Sequence, residues 1–392
     1  MNHIGWGGLT YWVSEAKGNE KIGVGIRPYG LHAGNMAAVI AYPYLLCERY
    51  EDINREKPEF RLQIWLNDIE PVKYVGADGT RESANAANMY PGSTTFQFMP
   101  APNGHKGSLA DFWQPVIEGV VRGTIGARFP YVKLDFRRAS ELVGTPEFEK
   151  TVLSAMHHSA GIGRVIGFFT QTPIQGKKGF VWPLCPDCHA PVTDATLKKS
   201  SEGLLIDGWH KFMGNYHFSQ KAKNLSWAMQ FRMLQAARLA AEQPDLWVIG
   251  IDHFPTNRTS LMEHLAAGLG IDQYRGDFLH VPLLFADGSK KLSKSLGNAV
   301  YMSPQELINA LRKNRNQGLD VKHAPVSDDI IVVGADLLPR YMTGNKEVRE
   351  AALKAKMAAY EKSNKRKAFL SDNAPGAISN KFVVRTVGVP HL

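Results

Sequence analysis

Lys21-Ile22-Gly23-Val24-Gly25-Ile26-Arg27-Pro28-Tyr29-Gly30-Leu31-His32-Ala33-Gly34-Asn35 runs a strand into a turn and the start of a helix. The apolar, β-branched run to Ile26 reads as a strand, and Pro28 and Gly30 supply turn chemistry. From Met36 to about Glu48 the pattern is an apolar helix, which Pro43 should kink or shorten. Leu62-Gln63-Ile64-Trp65-Leu66-Asn67-Asp68 reads as the next strand. Strand, helix and strand over 21–68 begin a parallel nucleotide-binding sheet, so the expected fold class is α/β with a Rossmann-like core. A helix start offers free N–H groups and a positive dipole end to phosphate. Gly30 and Gly34 let the backbone approach closely, and His32 can donate a hydrogen bond to a phosphate oxygen. A structural turn with a surface histidine has the same local pattern, so a second segment has to separate the two readings.

That segment is Lys290-Lys291-Leu292-Ser293-Lys294-Ser295-Leu296-Gly297-Asn298. It follows the strand-like His280-Val281-Pro282-Leu283-Leu284-Phe285 and the turn Ala286-Asp287-Gly288-Ser289. Ammonium groups and hydroxyls crowd together there. Such a cluster can offset the negative charge that a Mg²⁺-bound triphosphate gathers as it reacts. An ordinary solvated basic turn is the plain alternative.

Taken in order along the chain, these segments resemble a family. His32-Ala33-Gly34-Asn35 looks like the HIGH signature of class I aminoacyl-tRNA synthetases, with Asn35 in place of the second His. Lys291-Leu292-Ser293-Lys294-Ser295 looks like their KMSKS signature, with Leu292 for Met. Gly250-Ile251-Asp252-His253, after the strand-like Leu246-Trp247-Val248-Ile249, resembles the element that binds adenosine ribose. A Cys-Pro-Asp-Cys knuckle and a long helix before the Gly-x-Asp-His strand are most similar to the class I type of lysyl-tRNA synthetase. The resemblance covers roughly 20–315. It implies ATP and Mg²⁺ as the nucleotide pair, with His32, Lys291 and Lys294 as catalytic residues. Gly30, Gly34, Asn35, Gly250, Asp252, His253, Ser293 and Ser295 are the expected ATP contacts. Lys294 would stabilise the departing pyrophosphate with help from Lys291, and Asp252 would accept from the ribose hydroxyls.

The substrate side is read from other residues. Asp68 and Glu70 end a strand at the ligand edge, where they could hold a substrate ammonium or merely cap a solvated loop. With the resemblance, they point to lysine or a lysine-like compound. Trp209 and His210, with Tyr216 and His217, are expected either to line the substrate pocket or to serve packing. Cys185-Pro186-Asp187-Cys188-His189 is half of a zinc site. Zinc wants four ligands, and the only other thiol, Cys47, lies in the first helix. Zinc completed by His189 or a distant His, and a knuckle without metal, both stand. His3-Ile4-Gly5 mimics the first motif but has no strand before it, and Trp6-Gly7-Gly8 would not continue a helix.

The chain is expected to divide into 1–169, the first half of the catalytic domain, and 170–218, a loop-rich insertion with the knuckle. Residues 219–315 would form the second half with the lysine segment, and 316–392 a small basic C-terminal region. Residues 1–20 read as a Gly-rich lead-in. Thr145-Pro146 starts a helix to about His158, Ser219 to about Ala241 is the longest helical pattern, and Ser303-Pro304 starts another. Lys346 to about Lys367 reads as a basic helix.

With 392 residues, 44% hydrophobic, the chain is long enough for a substantial core. No apolar run approaches the roughly 20 residues of a membrane helix. No signal sequence is visible, and three Cys do not make a disulfide framework. A cytoplasmic protein is the simplest expectation, with no membrane partner. The formal charge of +9 suits an anionic partner such as tRNA. Only about 75 residues follow the 303–315 helix, fewer than the anticodon-binding region of lysyl-type enzymes, so the resemblance is to a truncated synthetase. The expected activity is ATP-dependent activation of an amino acid as its adenylate, with pyrophosphate released. The acyl group would then pass to tRNA or to a small amine or peptide. A non-catalytic RNA-binding or regulatory module and a nucleotidyltransferase of the same superfamily are the rival readings.

Overall fold

The computed structural model describes residues 2–5, 9–28, 31–74, 81–83, 93–101, 105–157, 180–201, 203–210, 216–250, 276–281, 283–286, 290–291, 303–316, 325–327, 330–333 and 384–385. Lys294, Ser293, Ser295, Gly30, Asp252 and His253 lie outside them, as does the basic helix expected over 346–367.

A seven-stranded sheet organises the protein. Across it lie Val384–Arg385, Asn2–Gly5, Asp277–Val281, Leu246–Gly250, Lys21–Ile26, Arg61–Leu66 and Lys133–Arg138. Only the Val384–Arg385 strand runs antiparallel to its neighbour. This is the expected α/β architecture with a Rossmann-like parallel core. From the 21–26 strand the chain steps outward to 61–66 and 133–138. From 246–250 it steps the other way, to 277–281. The order therefore reverses between the adjacent 21–26 and 246–250 strands, and ligands of open α/β sheets sit at the carboxyl end of such a crevice.

Alternation along each strand divides the core between two faces. Ile22, Val24 and Ile26 pack on one side with Leu62, Ile64, Val248 and the helix that follows His32. Trp65, Trp247, Ile249 and Phe278 pack on the other with the helices Pro146–His157 and Phe231–Glu242. Gly23 faces that second side because a β-carbon there would lie 2.4 Å from Trp247 Cε3, so the indole lies across it.

The helix after His32 does not stop at Pro43. Its α turn Ala33–Met36 widens to a π segment, Ala37–Ala41, and resumes as α from Tyr42 to Asn54. The Tyr42 N–H reaches back to Ala37 O, five residues away. A proline has no N–H and its ring collides with the carbonyl one turn earlier, so the wide turn absorbs Pro43 without breaking the run.

Several expectations are corrected. Residues 2–5 are not a lead-in but a strand: His3 and Ile4 pair in parallel with Phe278 and Leu279. The helix Leu9–Glu15 then buries Leu9, Trp12 and Val13, with Trp12 against Phe60. The stretch read as a loop-rich insertion holds an antiparallel meander, Asp194–Ser200, Gly203–His210 and Tyr216–Lys221. The helix expected from Ser219 begins only at Phe231, because Tyr216–Lys221 belongs to the meander and Trp227–Met229 pairs with Val181–Pro183. The single strand expected over 280–285 is two strands in different sheets. Val281 ends the central strand, and Leu283–Ala286 joins an antiparallel sheet with Lys290–Lys291 and Ile330–Val333. Pro282 stands between them in sequence, and a proline cannot donate to a continuing ladder.

Two helix starts follow the sequence reading. Phe148 N–H donates to Thr145 Oγ1. Ser303 and Glu306 form a reciprocal cap, Ser303 N–H to Glu306 Oε2 at 2.8 Å and Glu306 N–H to Ser303 Oγ at 3.2 Å.

Candidate active site

His32 is the N-cap of its helix and is buried. Its Nδ1 accepts from the Gly34 N–H at 3.2 Å. That bond places the ring proton on Nε2, leaving Nε2 as the donor edge. The carbonyl of His32 accepts from the N–H groups of Asn35 and Met36, at 2.9 and 3.0 Å. The donors of Gly34 and Asn35 are therefore engaged with His32.

The strand before the lysine segment and the helix after it both pack on the same helix. Leu283–Ala286 runs beside the first turn, Ala33–Met36. Its hairpin partner pairs Lys290 with Ala286 and Lys291 with Phe285, so the first two lysines stand on a strand rather than a loop. At the far end, the helix Pro304–Asn316 buries Leu307, Ile308 and Leu311 in the core shared with the His32 helix. Arg312 fixes it there through Glu48, Nη2 to Oε1 at 2.9 Å and Nε to Oε2 at 3.1 Å. Gly250 ends its strand opposite Val281.

Asp68 and Glu70 sit at the carboxyl end of the 61–66 strand, both buried and both already partnered. Asp68 accepts from Ser140 N–H at 2.9 Å and Ser140 Oγ–H at 2.6 Å. Burial raises its carboxyl above the usual range, against the pull of Ser140 and Arg138. Glu70 accepts from Arg27 Nε at 2.9 Å and from Asn67 Nδ2 at 3.4 Å. Neither carboxylate is presented as an open seat for an ammonium.

Trp209 and His210 part company. Trp209 is exposed on the meander, tilted against His217. His210, its neighbour on the strand, turns inward, where its Nδ1 lies 3.7 Å from Cys188 Sγ. Cys185, Cys188 and His210 bring one ligand atom each within 4.8 Å of one another. His189 takes a left-handed backbone, and its ring stacks on Phe98 at 3.8 Å. The set thus fits zinc with the distant His210 as third ligand, two thiolates and an imidazole being its preferred donors.

Sequence reasoning passed over Gln235 and Arg238, which lie three residues apart on the Phe231–Glu242 helix and face the sheet above Gly25. A β-carbon on Gly25 would lie 3.1 Å from Arg238 Nη1 and 3.2 Å from Gln235 Nε2. Arg238 is fully buried, and none of its guanidinium nitrogens has a hydrogen-bond partner among the described residues. Its guanidinium carbon lies 5.4 Å from the Trp247 ring centre and 5.9 Å from that of Trp65. Burial pulls Arg238 down to about 9, with Glu70 and Asp68 drawing it back up, so it remains a cation at neutral pH. The available signal was an arginine inside a helix that is otherwise buried nearly all round.

No protein-family model and no curated protein sequence matches the chain. Among solved structures it is similar to the tyrosyl-tRNA synthetase of Archaeoglobus fulgidus complexed with L-tyrosine. The identity is 16%, over 91% of this chain and 93% of that one, with a TM-score of 0.38. The tyrosyl-tRNA synthetase of Leishmania major in complex with tyrosinol is 13% identical over 91% of this chain and 46% of its own, at 0.38. A product-bound parasite tRNA synthetase is 11% identical over 93% and 83%, at 0.31. No described helix is long and apolar enough to cross a membrane.

Proposed function

We propose that this chain activates an amino acid with ATP. The substrate carboxylate attacks the α-phosphorus, giving an aminoacyl-adenylate and releasing pyrophosphate. The supporting observation is that the strand before the lysine segment, 283–286, and the helix after it, through Arg312 on Glu48, both lie against the helix that His32 caps. In this reading the lysine segment and the His32 turn, some 260 positions apart in sequence, share one nucleotide. In this reading His32 Nε2–H donates to a phosphate oxygen and Lys291 and Lys294 neutralise charge on the triphosphate. Asp252 and His253, just beyond Gly250, hold the ribose. No covalent enzyme intermediate is needed, since positioning and charge neutralisation supply the acceleration.

Mg²⁺ accompanies ATP. Zinc held by Cys185, Cys188 and His210 ties the knuckle to the meander and takes no part in the chemistry. The acyl acceptor is tRNA or a small amine or peptide, with the chain's net positive charge favouring tRNA. The lysine substrate expected from Asp68 and Glu70 has little support, because both carboxylates are engaged within the protein. The test is amino-acid-dependent ATP–pyrophosphate exchange across all standard amino acids, with and without tRNA. Exchange with one amino acid is expected. No exchange with any, alongside retained RNA binding, would replace the enzyme by a binding module.

A further inference from the structure

A cation that folds into the interior without partners costs several kcal/mol, and native proteins seldom keep one unless something arrives to meet it. Among the described residues Arg238 is such a group. Its described neighbours are committed elsewhere or are themselves incomplete. Glu70 is held by Arg27, and Asp68 by Ser140. Trp65 and Trp247 offer only ring faces to the guanidinium. Three further buried polar atoms nearby lack partners among the described residues: Gln235 Oε1, Trp65 Nε1 and Asn67 Oδ1. Trp65 pairs with Gly25 in the sheet, and Asn67 N–H bonds Ile26 O at the same strand ends. The incomplete groups therefore gather around Gly25, at the point where the strand order reverses.

We propose that Arg238, with Gln235 over Gly25, receives a carboxylate borne on the substrate's side chain, so that the amino acid is a dicarboxylic one. A guanidinium fork matches a carboxylate through two parallel hydrogen bonds, and the flanking indoles restrict the plane in which it can lie. This rests on the activation reading, which also says which carboxylate is meant. The α-carboxylate must reach the phosphate at the His32 helix, and that helix packs on the opposite face of the sheet from Arg238. One carboxylate cannot serve both places. The anion at Arg238 is a second one, on the side chain.

Two measurements on the full chain separate the two proposals. In pyrophosphate exchange, L-aspartate or L-glutamate should support turnover while lysine and neutral amino acids do not. Arg238→Gln should raise the KM for the acidic substrate by about 100-fold, the size expected when one partner of a buried charged pair is removed. Arg238→Lys, which keeps the charge and loses the fork, should fall between, and it remains informative if the Gln variant misfolds. Exchange with a basic or neutral amino acid alone would overturn the dicarboxylate assignment and leave activation standing. The second measurement needs no ATP. L-glutamate or L-aspartate should raise the melting temperature of the wild type, beyond sodium chloride at equal ionic strength, and should not raise that of the Gln variant. That pattern without any exchange would uphold the anion site and remove activation. No shift and no exchange with acidic amino acids would remove the site.

Discussion

Arg312 grips Glu48 through a hydrogen bond and an ion pair, and in doing so docks the helix that follows the lysine segment onto the helix that follows His32. Both side chains are partly shielded, so the pair should couple by about 1 kcal/mol in a double-mutant cycle of Arg312→Ala and Glu48→Ala. The single variants should also lower pyrophosphate exchange, because they loosen one anchor of the lysine segment. Zero coupling with unchanged exchange would separate that anchor from function.

Lys294→Ala is expected to reduce exchange by about 100-fold while leaving the urea midpoint where it was, as for a contact made chiefly in the transition state. Full activity in this variant would withdraw the role assigned to the lysine.

Purified protein should carry one zinc, measured by plasma emission. Cys185→Ser and His210→Ala should each lose it. Removal by chelator should lower the melting temperature and open the 194–221 meander to protease, since the metal joins the knuckle to the meander's middle strand. A metal-free preparation with unchanged protease resistance would favour the plain knuckle.

Asp68 should leave a mark on stability against pH. Its carboxyl is raised in the folded state by burial, so the folded protein holds that proton more tightly than the unfolded chain does. The contribution is full below the unfolded value of about 4 and is lost as pH rises through the raised folded one. Urea unfolding of wild type and Asp68→Asn between pH 4 and 8 should show a descent in the former that the latter lacks. Parallel curves would refute it.

What was legible was local. The strand through Ile26, the helix start at His32, and the caps at Thr145 and Ser303 each depend on residues within four positions of one another, and the sequence displays them. What was hidden was distant. Asn2–Gly5 is a strand only because Asp277–Val281 lies beside it. Asp68 looked available because Ser140, 72 residues on, is invisible from its surroundings. His210 looked like pocket lining because Cys188 reaches it only once the meander folds back. Arg238 was masked by its own helix, where a charge among apolar residues reads as solvent-facing until the packing shows it fully buried.

The π segment at 37–41 has a geometric consequence for catalysis. A π turn amounts to one extra residue threaded into an α-helix, and each residue of an α-helix turns the chain by about 100°. The bearing of the His32 imidazole relative to the hydrophobic anchor at Tyr42–Asn54 is thus set by a single-residue excess. Deleting Ala38 would swing the imidazole away from the crevice and return Pro43 to a steric conflict with the preceding turn. An insertion in a surface loop would do neither.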